Sequence, residues 1–75
     1  MITLLFFARL ADLANARLLH VPLAATPQEV AEARGKFGFL KDRSIRVAVN
    51  RRWAHWDTAL ADGDEVAFLP PLGVI

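Results

Sequence analysis

Few side chains in this sequence are of types that do chemistry. His20 and His55 are its two imidazoles, and neither has a carboxylate or a second histidine at metal-ligand spacing. Each therefore reads as a surface or half-buried strand residue rather than a ligand or proton shuttle. Ser44 is the only serine and lacks the flanking glycines of a nucleophile elbow. The absence of cysteine removes disulfides, thiolate metal sites and a thiol nucleophile together. The four glycines form no phosphate-binding loop. Asp57, Asp62, Asp64 and Glu65 gather enough carboxylate for a cation or acid–base site, but their setting around Gly63 fits solvated turn residues. No catalytic residue of the usual kind, no metal and no cofactor is expected, and a self-sufficient enzyme is not what these residues build.

Charge and the last ten residues say more. From Lys36 to Arg52 the bases Lys36, Lys41, Arg43, Arg46, Arg51 and Arg52 face one acid, Asp42, whereas Asp57 to Glu65 carries acids alone. Such segregation orients a partner during encounter, or is simply a solvated face. Trp53 and Trp56 beside Arg51 and Arg52 are of types that stack on bases. A net charge of +1 is nevertheless far from the basicity of a nonspecific nucleic-acid binder, and core or edge packing accounts for both tryptophans. No nucleic acid is expected as partner. After Glu65 no charged residue appears through Ile75, and Pro70-Pro71 cannot extend a ladder. Two readings follow. In one, Val66 and Phe68 complete the core while residues 72 to 75 fold back or fray. In the other, an apolar tail leaves a central strand and enters another protein. The second makes Phe68, Leu69, Pro70, Pro71 and Leu72 docking residues and Gly73, Val74 and Ile75 the inserted tail.

The elements that must position these residues are legible from period and punctuation. The chain has 75 residues, 55% hydrophobic and 23% charged, which predicts one domain over residues 1–75 and argues against disorder. Ile2 to Ala8 is short, apolar and β-prone, as for a central strand buried on both faces. Leu10, Leu13 and Ala14 recur at helical spacing, and Asn15 is a left-handed stop. Arg17 to Val21 reads as a second strand closed by Pro22. Thr26-Pro27-Gln28-Glu29 is a capping box with proline at the first helical position, and Val30, Ala33 and Phe37 form one apolar stripe beyond it, with Glu32, Arg34 and Lys36 turned away. Ile45, Val47 and Val49 alternate along a strand, Asn50-Arg51-Arg52 turns, and Trp53 to Trp56 returns. Asp62-Gly63-Asp64 turns again into a strand, Glu65 to Leu69, that the prolines stop. This order predicts an α+β fold with a mixed sheet of four to five strands gripping one main helix, the logic of a β-grasp or ubiquitin-like domain. No apolar stretch approaches the roughly 18 residues of a membrane span. The start has no basic region ahead of a cleavable apolar one. The expectation is a soluble, cytoplasmic protein with no membrane partner.

Leu5-Phe6-Phe7-Ala8-Arg9, Val47-Ala48-Val49-Asn50 and the stretch from Asp57 to Pro71 resemble the MoaD/ThiS family of sulfur carriers in order and spacing over almost the whole chain. Within it the chain is most similar to the MoaD branch, the small subunits of molybdopterin synthase, through its early aromatic pair and Phe68-Leu69-Pro70-Pro71. Asp62-Gly63-Asp64-Glu65-Val66 is the most specific piece. The resemblance implies a β-grasp fold and a carrier role in molybdenum cofactor biosynthesis. An E1-like enzyme adenylates the carrier's terminal carboxylate with ATP, and sulfur displaces AMP to leave a thiocarboxylate. The tail then enters a MoaE-like large subunit, where sulfur passes to a pyranopterin precursor. The resemblance also adds Phe7 and Arg9 to the docking residues. Family members end in Gly-Gly, thin and conformationally free; here Leu72-Gly73-Val74-Ile75 places two stiff β-branched residues at those positions. On the carrier reading the reacting carboxylate is that of Ile75. The alternative is a non-catalytic β-grasp module that docks a MoaE-like subunit and transfers no sulfur.

Overall fold

The computed structural model describes residues 1–33, 35–42 and 44–71. Arg34, Arg43 and the tail residues Leu72, Gly73, Val74 and Ile75 lie outside the described residues. The chain runs β1 (Ile2–Phe6), α1 (Arg9–Ala14), β2 (Leu18–Val21), α2 (Pro27–Glu32), a 3₁₀ segment (Gly35–Lys41), β3 (Arg46–Val49), β4 (Arg52–Ala54) and β5 (Glu65–Leu69). The five strands form one sheet in the order β2-β1-β5-β3-β4. β1 and β5 pair in parallel, while the β1–β2, β3–β5 and β3–β4 pairs are antiparallel. This mixed sheet with helices is the expected α+β, β-grasp arrangement.

Local chemistry explains the punctuation. Asn15 ends α1 with φ 55°, in the left-handed region that asparagine tolerates. The Thr26 hydroxyl accepts from the Glu29 N–H at 3.2 Å, capping α2 ahead of Pro27. Asn50 and Arg51 have φ 52° and 68°, the two positive values that a tight hairpin turn needs between β3 and β4. Gly63, at φ 88°, takes the strained position of the turn into β5.

Three expectations change. α2 stops at Glu32, with Ala33 exposed, so Val30 and Phe37 do not share one long helical stripe. Phe37 instead arrives through the 3₁₀ segment, which kinks at Phe37 itself (φ −97°, ψ 22°), and Phe37 and Leu40 are both fully buried. Leu13 remains 57% exposed, outside the core. β1 is not buried on both faces: Ile2, Leu4 and Phe6 are buried, while Thr3 and Leu5 are half-buried on the opposite face.

That alternation sorts the molecule into two sides. Ile2, Leu4 and Phe6 of β1, Val47 of β3 and Val66 and Phe68 of β5 join Leu10, Val30, Phe37 and Leu40 in the core. Its centre is aromatic. Phe68 stacks on Phe6 at 5.6 Å and on Trp56 at 5.7 Å, and Phe37 meets Phe6 at 5.4 Å. Each such phenylalanine contributes about 1.5–3 kcal/mol by leaving water. Among the described residues, the other side of the sheet carries no residue of the buried core and no helix covers it.

Candidate functional site

The open side is built by strand register. Leu5 of β1 pairs with Leu18 of β2 and with Ala67 of β5; Ala67 pairs with Ala48 of β3, and Ala48 with Trp53 of β4. Partnered residues in a sheet share a face, so Leu18, Leu5, Ala67, Ala48 and Trp53 form one apolar row across all five strands. Leu18 and Trp53, at its two ends, are 49% and 58% exposed. Small alanines in the middle and large side chains outside leave a shallow depression of about 470 Å³, bounded also by Phe7 and Leu69. Charge stays at its rim: Arg51 and Glu65 on one side, and Arg46 beside Leu69 on the other. His20 shares this face as well, its Nδ1 within 3.2 Å of the Thr3 hydroxyl.

The root of the tail lies along the same face. β5 is the middle strand and is paired on both sides, and the Phe7 N–H extends the β1–β5 ladder by donating to the Phe68 carbonyl at 3.2 Å. Leu69, Pro70 and Pro71 are half-buried, and Phe7 is 45% exposed. These four expected docking residues are thus accessible and close together in the fold. Phe68 is not accessible. It is 0% exposed, its side chain points into the aromatic core, and it cannot meet a partner without unfolding the sheet. Arg9 is exposed at the start of α1, and its charge is felt at Asp42. Leu72, Gly73, Val74 and Ile75 lie outside the described residues.

The polar candidates serve turns. Asp42 accepts from the Ser44 hydroxyl at 2.6 Å and from the Ser44 N–H at 3.0 Å. These two bonds, with a smaller contribution from Arg9, hold its carboxyl below the usual range. Asp64 accepts from the Ala61 N–H at 2.8 Å and from the Asn50 amide at 2.9 Å, and its carboxyl is lowered by the same two bonds in that order. Among the described residues no three His, Asp or Glu side chains group so as to hold a metal ion, and no helix is long and apolar enough to cross a membrane.

The apolar row escaped the sequence reading, although its signal was present. Leu5 sits in an apolar run that reads as a doubly buried strand, yet it lies on the open phase of β1. Ala67 and Leu69 fall on the alternate phase to Val66 and Phe68, and that phase is the one that faces out. Trp53, expected in the core or at an edge, stands on the edge strand with the Arg46 guanidinium 4.5 Å above its ring, whereas Trp56 packs on the core.

Comparison with known proteins agrees with this architecture. The chain is 35% identical to the "Molybdopterin synthase sulfur carrier subunit" of Escherichia coli (strain K12), over 96% of each chain. Its structure is similar to the crystal structure of H. volcanii small archaeal modifier protein 1, with TM-score 0.78, 30% identity and coverage of 95% of this chain and 97% of the other. The fold, and at 20% identity the fold alone, is shared with a chain in the complex of subunits 1 and 2 of the Helicobacter pylori molybdopterin-converting factor. That match has TM-score 0.64 and covers 95% of this chain and 93% of the other. With residues 4–73 also matching the ThiS family model, the chain belongs to the ThiS family.

Proposed function

We propose that this protein is the sulfur carrier subunit of a molybdopterin synthase, docking its open sheet face on a MoaE-like large subunit so that its tail reaches the large subunit's active site. The observation that carries the reading is identity of 35% along 96% of both chains with a protein of that description. The geometry supports it. The tail follows directly from β5, the middle strand, which β1 and β3 anchor on its two sides, and its root borders the apolar row.

The chemistry asks little of the folded body. An E1-like enzyme joins the tail carboxylate to AMP from ATP and releases pyrophosphate; a sulfur donor then displaces AMP, leaving a thiocarboxylate. The carrier needs a rigid handle that two enzymes can grip and a narrow strand that reaches both sites. Leu69, Pro70 and Pro71 direct the exit of that strand, while Gly73, Val74 and Ile75 are the part to be inserted. The test is mass spectrometry of the protein incubated with ATP, a sulfur donor and its E1-like partner. A gain of one sulfur-for-oxygen exchange at the tail is expected, and no gain under conditions that convert the E. coli carrier counts against sulfur transfer.

Val74 and Ile75, in place of the family's glycines, favour a second reading, a β-grasp module that docks the large subunit without donating sulfur. It predicts tight binding of that subunit with no thiocarboxylate on protein purified from its own cells.

A further inference from the structure

Arg46 and Trp53 form a unit that the docking reading does not by itself require. Both project from the open face: Arg46 from the first position of β3, in register with Leu69, and Trp53 from β4, opposite Ala48. They are therefore diagonal neighbours across a strand pair, close enough for long side chains to meet. The guanidinium carbon lies 4.5 Å from the centroid of the Trp53 ring. Among the described residues Arg46 makes no ion pair and no hydrogen bond through its side chain. A guanidinium resting on an aromatic face uses its flat side, and its N–H donors all lie in its own plane. The contact holds the guanidinium at the ring, and among the described residues its donors are left open. Much of the ordering cost of a bidentate contact is then met before any partner arrives.

We propose that Arg46, held on Trp53, is a carboxylate-recognition point, and that an Asp or Glu side chain of the docking large subunit forms a bidentate pair with it beside the exit of the tail. This rests on the docking reading above and adds the chemistry of the partner's surface. The position fits a protein carboxylate better than a nucleic-acid phosphate. Arg52 is in register with Val49, roughly 10 Å along the strand from Arg46, and Arg51 lies beyond it in the turn, so among the described residues of this hairpin no second cation stands beside Arg46. The immediate neighbours, Leu69 and Trp53, are apolar surface of the kind that surrounds a buried interface pair. Once the large subunit covers them, water is excluded around Arg46 and a charge-assisted contact there gains strength.

Affinity for the MoaE-like large subunit of the source organism is measured by calorimetry at low and moderate salt. The expected result is a loss of about tenfold or more for Arg46→Ala and a larger loss for Arg46→Glu. Arg46→Lys, which keeps the charge and lacks the fork, falls between them. Trp53→Ala weakens binding more than Trp53→Phe. Lys41→Ala removes the same charge elsewhere and leaves affinity within twofold. One Asp or Glu to Lys change on the large subunit restores binding to Arg46→Glu. Circular dichroism of each variant shows the wild-type spectrum, because Arg46 and Trp53 are exposed. Affinity of Arg46→Ala within twofold of wild type, while Leu5→Asp abolishes binding, overturns the carboxylate pair and leaves the docking reading standing. Failure of the wild-type protein to bind removes the docking reading and this inference with it. Arg46-dependent binding of single-stranded RNA, with subunit affinity unaffected by Arg46→Ala, overturns the assignment to a protein carboxylate.

Discussion

The side-chain amide of Asn50 donates to the Asp64 carboxylate at 2.9 Å, joining the β3–β4 turn to the turn that opens β5. The same side chain accepts from the Glu65 N–H at 3.0 Å, and the Asn50 N–H donates to the Glu65 carbonyl at 2.8 Å. Asn50 thus closes the sheet's hairpin on the root of its middle strand while holding φ 52° itself. Asn50→Ala loses both side-chain bonds and strains the backbone, so a stability loss of about 1–3 kcal/mol is expected by urea unfolding. Asn50→Gly loses the bonds and keeps the positive φ at little cost, so it should be the milder change. Equal losses would mean that the turn geometry contributes nothing beyond the hydrogen bonds.

Asp64 gives this junction an acid dependence. Its carboxyl is held below the ordinary value, first by the Ala61 N–H and then by the Asn50 amide. The unfolded chain therefore binds this proton more readily than the folded one. The stabilisation is complete above the unfolded value of about 4 and is lost as pH falls through that value and the lowered folded one. Urea midpoints measured at pH 7 and then stepwise down to pH 3 should fall more steeply for wild type than for Asp64→Asn, which carries no titrating carboxyl there. Parallel curves would show that Asp64 titrates alike in both states.

Phe68 and Phe7 should separate folding from docking. Phe68 is fully buried between Phe6 and Trp56, so Phe68→Ala is expected to cost about 3–5 kcal/mol. Such a loss is comparable with the whole stability of a domain this small, and any loss of partner binding would only report unfolding. Phe7→Ala removes a side chain that is 45% exposed and should change stability by less than about 1 kcal/mol. It should nevertheless weaken binding of the large subunit, which calorimetry on the two variants would resolve.

Features carried by single residues were readable in advance. Asn15, Thr26 with Pro27, the Asn50 turn and Gly63 each solve a local stereochemical problem that few residue types can solve. What escaped depended on distant parts of the chain. A run of apolar residues such as Ile2 to Phe6 looks the same whether its second face is covered or awaits a partner, because covering is decided by where the helices land. Grouping Phe68 with Leu69, Pro70 and Pro71 as one docking run ignored the two-residue period of a strand, which sends neighbours to opposite faces. The stripe through Val30, Ala33 and Phe37 failed because it requires one unbroken helix, whereas α2 ends at Glu32 and a separate 3₁₀ segment carries Phe37, a break that spacing alone did not show.

The tail offers the sharpest chemical test. Replacing Val74 and Ile75 with glycine restores the family's narrow ending without touching the sheet face. If the E1-like enzyme's channel is shaped for glycine, each β-branched side chain overfills it, and overpacking typically costs about 1–3 kcal/mol. The Val74→Gly/Ile75→Gly protein should then gain thiocarboxylate about tenfold faster or more than wild type. Its affinity for the large subunit should stay within a few-fold, since Phe7, Leu69 and Trp53 are unchanged. Equal rates for both proteins would assign the tolerance to the activating enzyme, whose channel must then admit branched residues. Product from neither, with binding intact, would favour the docking module over the carrier, because the stiff β-branched pair would already have been removed.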